Sequence, residues 1–215
     1  MKKSRNLYTA CGCLAAFLMW TAAVRFVDVR AIGPQGSEVG FAGLNQWVHQ
    51  LTGVHMGLYT LTDWLGLVPL GFALGFALLG LVQWIGRKSL RKVDRSILVL
   101  GGFYLVVLGA FLFFEEVVVN YRPVLIEGVL EASYPSSTTL LVLCVMTTAM
   151  MQLNTRIRNP KVRRWATMGI TAFVLFMVVA RLLSGVHWFS DIVGGILLSA
   201  GLVLLYDAVS RLDQT

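Results

Sequence analysis

Apolar residues run through this chain in long blocks separated by short polar stretches, and the block lengths set the expected elements. Charge-free runs occupy 7–24, 64–85, 97–114, 138–151, 165–180 and 192–206. A bilayer core takes about 20 apolar residues per helix. The three shorter runs reach that length with tolerant neighbours such as Ser137, Gln152, Trp188 and Phe189. Lipid offers no partner to backbone N–H and C=O groups, and nothing here alternates with period two, so each span is expected to be a helix. The reading is an all-α polytopic membrane protein, a single membrane domain over 1–215 with six spans. The first run also has the outline of a signal peptide, with Lys2, Lys3 and Arg5 ahead of it and small residues at Thr21-Ala22-Ala23. Its length, and Trp20 near its end as an interfacial anchor, favour an uncleaved first span. Residues 25–63 form the one long external segment, with an interfacial helix expected around 41–51.

Composition agrees with a membrane solvent: 57% of residues are hydrophobic, 13% are charged and the mean hydropathy is +0.73, where a soluble domain carries about 25% charged residues. The net charge of +7 is unevenly placed. Residues 86–95 and 154–164 hold five basic side chains each, and the termini add Lys2, Lys3, Arg5 and Arg211, so one face takes 14 of the 18 Lys and Arg residues. The positive-inside rule makes that face cytoplasmic, with both termini inside. Topology and anionic membrane lipids account for the charge, and no nucleic-acid partner is called for.

Four basic residues remain on the other face. Arg25 and Arg30 follow the first span and read as interface anchors, but Arg122 and Arg181 sit at span ends beside other polar groups, where ionisable side chains are functional candidates. Cys11 and Cys13 lie about 200° apart around a helix and Cys144 lies inside a span, so all three read as small buried hydrophobes, with no disulfide framework or metal cluster. GFALG at 71–75 offers a small-residue face for close helix contact, which leaves room for a homo-oligomer.

The stretch RLLSGVHWFSDIVGG, 181–195, gathers Arg181, His187 and Asp191. If a helix starts near 186, His187 and Asp191 share a face one turn apart, and the carboxylate can orient the ring. A continuous helix would point Arg181 away, and Ser184-Gly185 supplies a break that lets it return. Taken alone, the triplet reads equally as an Arg181–Asp191 salt bridge with His187 a bystander. Two other stretches favour a site. Arg122-Pro123 ends the third span, and Pro135-Ser136-Ser137-Thr138 opens the fourth as a hydroxyl-rich helix start with free N–H groups. Two arginines, a helix start and an oriented histidine describe a phosphate pocket.

The order Arg-Pro, Pro-Ser, then Arg-x5-His-x3-Asp resembles the type 2 phosphatidic acid phosphatase superfamily, over roughly residues 60–206. That superfamily includes bacterial undecaprenyl-diphosphate and phosphatidylglycerophosphate phosphatases, and its pattern is K-x6-R-P, P-S-G-H and S-R-x5-H-x3-D. The resemblance implies a bacterial cell membrane, a site on the extracytoplasmic face and no metal or other cofactor. It makes His187 the nucleophile, giving a phosphohistidine, with Asp191 its orienter. Arg122, Arg181 and Ser136 would hold the phosphoryl oxygens, beside Ser137 and Thr138. Departures are specific: Glu115 stands at the lysine position, Ser137 and Thr138 replace Gly-His, and Ala180 precedes Arg181. The lost histidine is the family's general acid, and such an acid is worth about 10² to 10⁴ in rate. Glu115, two turns before Arg122, could carry a proton if buried. More simply, it is ionised and clamps Arg122. Glu116 points elsewhere.

The expected function is hydrolysis or transfer of a lipid phosphate or diphosphate, with a polyprenyl diphosphate the best match to the missing acid. The rival is an inactive relative that binds lipid phosphate head groups or a partner protein. A small transporter fits less well, because no charged residue lies at the middle of any span.

Overall fold

The structure, a computed structural model, describes residues 2–210. Arg211 lies outside the described residues. Among the described residues eight α-helices follow one another: α1 (Lys2–Phe26), α2 (Ala42–Thr52), α3 (Met56–Leu65), α4 (Leu67–Arg87), α5 (Arg95–Glu116), α6 (Ser137–Arg156), α7 (Pro160–Leu183) and α8 (Phe189–Ser210). Among the described residues the only extended pairing is three isolated bridges. Six segments are long and apolar enough to cross a membrane, and the second, Met56–Arg87, starts earlier than the apolar run suggested. Pro69 explains how a helix hides there. It has no N–H to offer the Leu65 carbonyl, so the helix breaks at Gly66 and resumes as α4. Residues 56–65 therefore belong to the bundle and not to an external connection. The helix expected around 41–51 is present as α2.

The share of each span buried within the protein separates core from periphery: 50% for α6 and 56% for α8, against 11% for the α3–α4 segment. Small residues let α8 take that central place. A Cβ at Gly201 would stand 2.6 Å from Leu14 Cδ2, and one at Gly194 would stand 2.6 Å from the Tyr134 ring. α1 runs antiparallel along α8, fixed at one end by Asn6 Nδ2 donating to Asp207 Oδ2 (2.7 Å) and at the other by Trp20 Nε1 donating to the Ser190 carbonyl (3.0 Å). By contrast, a Cβ at Gly71 or Gly75 would meet nothing within 4 Å. The GFALG stripe makes no close helix contact among the described residues.

These contacts sort the connections onto two ends of the bundle. Residues 88–94 and 157–159 lie at one end. Residues 27–55, 117–136 and 184–188 lie at the other, and the second group builds the site.

Candidate active site

α7 ends at Leu183, where Ser184 N donates to the Ala180 carbonyl (2.8 Å). Gly185 then turns the chain with φ +68°, and a Cβ there would stand 2.0 Å from the Gly53 carbonyl. Only glycine fits both the conformation and the contact. The expected break at Ser184-Gly185 is real. It places His187 in the turn before α8, not on the helix itself, while Asp191 lies in the first turn of α8 and accepts from Trp188 N (2.8 Å).

His187 and Asp191 are brought together, with a correction to their contact. Nδ1 and Asp191 Oδ2 are 3.9 Å apart, too far for a hydrogen bond. The Ser133 hydroxyl stands between them, 3.0 Å from Nδ1 and 2.5 Å from Oδ2, and the Ser133 carbonyl lies 3.1 Å from Nδ1. Oδ1 accepts from Asn120 Nδ2 (3.2 Å) and Ser190 Oγ (3.4 Å). The alternative Arg181–Asp191 salt bridge is not formed. Arg181 Nη1 instead donates to Thr62 Oγ1 (3.2 Å).

The arginines converge from different elements. Arg181 is 2% exposed and Arg122 8%, and Tyr59 of α3 serves both, with its ring centroid 4.9 Å from Arg181 Cζ and 5.9 Å from Arg122 Cζ. Burial, then Arg181 and then Arg122, hold His187 well below the usual imidazole range, against the opposing bond to the Ser133 carbonyl. A neutral ring with Nδ1 facing oxygen acceptors leaves its lone pair on Nε2. His187 Nε2, Arg181 Nε and Arg122 Nη1 are all buried without a hydrogen-bond partner among the described residues. Two open guanidinium N–H donors and a neutral imidazole nitrogen suit a tetrahedral oxyanion.

Other expected site residues divide. Arg122 is clamped by Glu131, with Nε 3.0 Å from Oε2, and not by Glu115. Glu115 is exposed and borders a narrow cavity with His187, Ser133, Ser137 and Phe114. The burial on which its proton-carrying role depended is absent. Neither arginine borders that cavity, so the expected single pocket is divided, with Tyr59 packed over the guanidinium groups. Ser136 is fully buried as the N-cap of α6, its Oγ accepting from Thr139 Oγ1 (3.0 Å) and N (3.5 Å). Ser137 and Thr138, half-buried, stand at the head of a second, apolar hollow of about 520 Å³ that passes Phe111, Leu70 and Tyr104 between α4, α5 and α6.

Sequence reading missed Tyr59, Thr62, Asn120, Glu131 and Ser133. Tyr59 and Thr62 share a helix face by their spacing of three. Glu131 and Ser133 stood in view, in the polar stretch that ends at Pro135.

Three comparisons bear on this arrangement. A search of curated proteins by sequence gives no match. Among solved structures, a transmembrane PAP2-type phosphatidylglycerolphosphate phosphatase from Bacillus subtilis superposes with a TM-score of 0.57 at 18% identity, over 95% of this chain and 96% of that one. At that identity the likeness is one of fold. The model of the PAP2 superfamily, the type 2 phosphatidic acid phosphatases, matches residues 71–212, a stretch that holds Arg122-Pro123, Pro135-Ser136 and Arg181-x5-His187-x3-Asp191. The chain belongs to the PAP2 superfamily.

Proposed function

We propose that the protein is a membrane lipid phosphatase that removes the terminal phosphate from a lipid diphosphate, with a polyprenyl diphosphate as its substrate. The observation that carries this reading is the set of three buried, unpartnered nitrogens: His187 Nε2, Arg181 Nε and Arg122 Nη1. Nε2 attacks the terminal phosphorus, an N–P bond forms, and the P–O bond to the lipid monophosphate breaks. Arg122 and Arg181 take the charge of the transferring oxygens. Water then attacks the phosphohistidine, releasing inorganic phosphate and restoring the neutral ring. The apolar hollow below Ser137 and Thr138 offers the lipid chain a place beside the reacting group.

The substrate follows from the leaving group. A phosphate monoester expels an alkoxide, whose conjugate acid has a pKa near that of water, about 15.7, so a proton donor is needed. A diphosphate expels a phosphate ester with a pKa of roughly 6, which leaves unaided. Thr138 stands where the family's acid would be, and Glu115 is exposed. Both facts favour the diphosphate. The basic end of the bundle faces the cytoplasm in this reading, and the site faces outward.

Phosphate release from matched mono- and diphosphate lipids by the purified protein tests the reading. The diphosphate should turn over much faster and leave phosphate trapped on His187. Equal rates would sink the leaving-group argument. No turnover of either would favour a relative that only binds lipid phosphates. Labelling of Leu90→Cys or Lys161→Cys from outside intact cells would reverse the orientation.

A further inference from the structure

Asp191 cannot reach His187 directly without giving up its own bonds. Its Oδ2 caps the start of α8 through Trp188 N, and its Oδ1 accepts from Asn120 and Ser190. The carboxylate is therefore held 3.9 Å from Nδ1, and a single hydroxyl fills the gap. The 2.5 Å contact between Ser133 Oγ and Asp191 Oδ2 joins two oxygens, and a proton must lie between them. A carboxylate only accepts, so that proton belongs to Ser133. Toward His187 the Ser133 oxygen is then an acceptor, and Nδ1 must be the donor across 3.0 Å.

We infer that Ser133 is a positioning residue through which Asp191 acts on His187, an assignment that rests on the phosphatase reading for its catalytic consequence. The chain runs from carboxylate to hydroxyl to Nδ1–H. When Nε2 bonds to phosphorus the ring becomes positive, Nδ1–H strengthens its bond to Ser133 Oγ, and Asp191 polarises that hydroxyl from behind. No proton leaves Nδ1 in this step. The Ser133 carbonyl, 3.1 Å from Nδ1, also favours the tautomer, but it carries no link to the carboxylate. Ser133 and His187 are each 3% exposed.

The test uses the full-length protein with Ser133→Ala, Asp191→Asn and the double variant. Ser133→Ala should lower kcat by about 10- to 100-fold, the worth of one hydrogen bond to a charged group, with KM within about twofold because no substrate contact is removed. The double variant should be no slower than Asp191→Asn, since both changes cut one chain. Ser133→Cys, a weaker donor of similar size, should fall between wild type and Ser133→Ala, and it stands in if the alanine variant does not fold. A kcat within about twofold of wild type in Ser133→Ala, or losses that multiply in the double variant, would overturn the assignment. A readout without turnover separates this inference from the phosphatase reading. In protein labelled with ¹⁵N-histidine, the Nδ1 proton of His187 should move upfield both in Ser133→Ala and in Asp191→Asn. If wild type hydrolyses no lipid phosphate, the phosphatase reading fails while the proton shift still decides the role of Ser133. If Ser133→Ala leaves that proton unmoved, the Ser133 assignment fails.

Discussion

The two ends of the bundle use the same side chain to opposite effect. At the basic end, Arg87 and Arg156 close on one carboxylate: Asp94 Oδ1 lies 3.0 Å from Arg87 Nη1, and Oδ2 lies 3.4 Å from Arg156 Nη1. Gln83 Nε2 donates to Asp94 Oδ2 (2.8 Å), and Asp94 N donates to Gln83 Oε1 (2.8 Å). Gln83 first, and then Arg87, hold the Asp94 carboxyl below its ordinary range. At the other end Arg122 and Arg181 are more deeply buried and share one tyrosine face. Arg156 Nε at the basic end lacks a hydrogen-bond partner just as Arg181 Nε and Arg122 Nη1 do, but here an imidazole nitrogen, His187 Nε2, is open as well. Leaving buried donors without partners is costly. A deeply buried cluster with open donors and an open imidazole nitrogen would suit an anion, whereas the cluster around Asp94 already closes on a carboxylate and ties α4, α5 and α6 together.

The contrast can be broken most severely at the proposed nucleophile. His187→Asn should lower phosphate release by about 10⁴-fold or more and abolish trapped phosphohistidine, as loss of a covalent nucleophile does elsewhere. Residual trapping in the variant would move the nucleophile to another residue. Arg181→Ala or Arg122→Ala should cost about 10²- to 10³-fold in kcat, the scale for removing one oxyanion donor, and Arg181→Lys should restore little of it. Arg87→Ala at the basic end should leave kcat within about twofold, because an exposed ion pair carries only about 0.2–1 kcal/mol. Matched losses at the two ends would erase the distinction between binding and bracing arginines.

Thr138→His should raise monoester hydrolysis by about tenfold or more, since a positioned acid contributes roughly 10² to 10⁴, and should change diphosphate hydrolysis far less. A parallel rise in both rates would remove the leaving group as the basis of selectivity. Glu131→Gln should lower KM by about two- to fivefold, because Glu131 competes with the substrate for Arg122 through a partly exposed pair worth about 0.3–1 kcal/mol. An increase in KM would make Glu131 a support for the arginine and not a competitor.

The smallest effect is a displacement along the pH axis. His187 sits well below the ordinary imidazole value of about 6.5 in the fold. The unfolded chain therefore binds a proton first as pH falls. The His187 contribution to stability is complete above about pH 6.5 and is lost on acidification below it. Activity should persist below that value, with the acid limb of kcat/KM displaced to lower pH, and thermal melts should show a falling Tm across the same window. An acid limb at the ordinary imidazole value would put the titrating group elsewhere.

Local patterns in the sequence carried a good deal of this. Spans reveal themselves because lipid demands unbroken apolar runs, and the Arg181–His187–Asp191 spacing sits within one turn-and-helix segment. The break at Ser184-Gly185 was readable from residue type. What escaped depends on distant partners. Tyr59 gains meaning only from Arg122 and Arg181, which lie more than sixty positions later, and Ser133 only from residues fifty positions on. Glu115 shows the reverse error: helical periodicity put it on the Arg122 side, but the chain leaves the helix after Glu116, and the backbone pairing of Arg122 N with the Glu131 carbonyl (3.0 Å) brings Glu131 to the guanidinium instead. The GFALG stripe makes no close contact among the described residues, because small residues permit close contact without requiring it.

Tyr59 also limits how portable this chemistry is. The stretch matched by the family model begins at residue 71, yet the ring over both guanidiniums, the Thr62 hydroxyl bonded to Arg181, and Asn45, which accepts from Ser190 N (3.0 Å) beside Asp191, all precede it. A transplant of the matched stretch onto another six-helix scaffold would carry every residue of the signature, and Glu131 beside Arg122, but not Tyr59, Thr62 or Asn45. For anyone grafting or trimming this enzyme-like core, the working unit starts no later than α2, and α2 and α3 should travel with it.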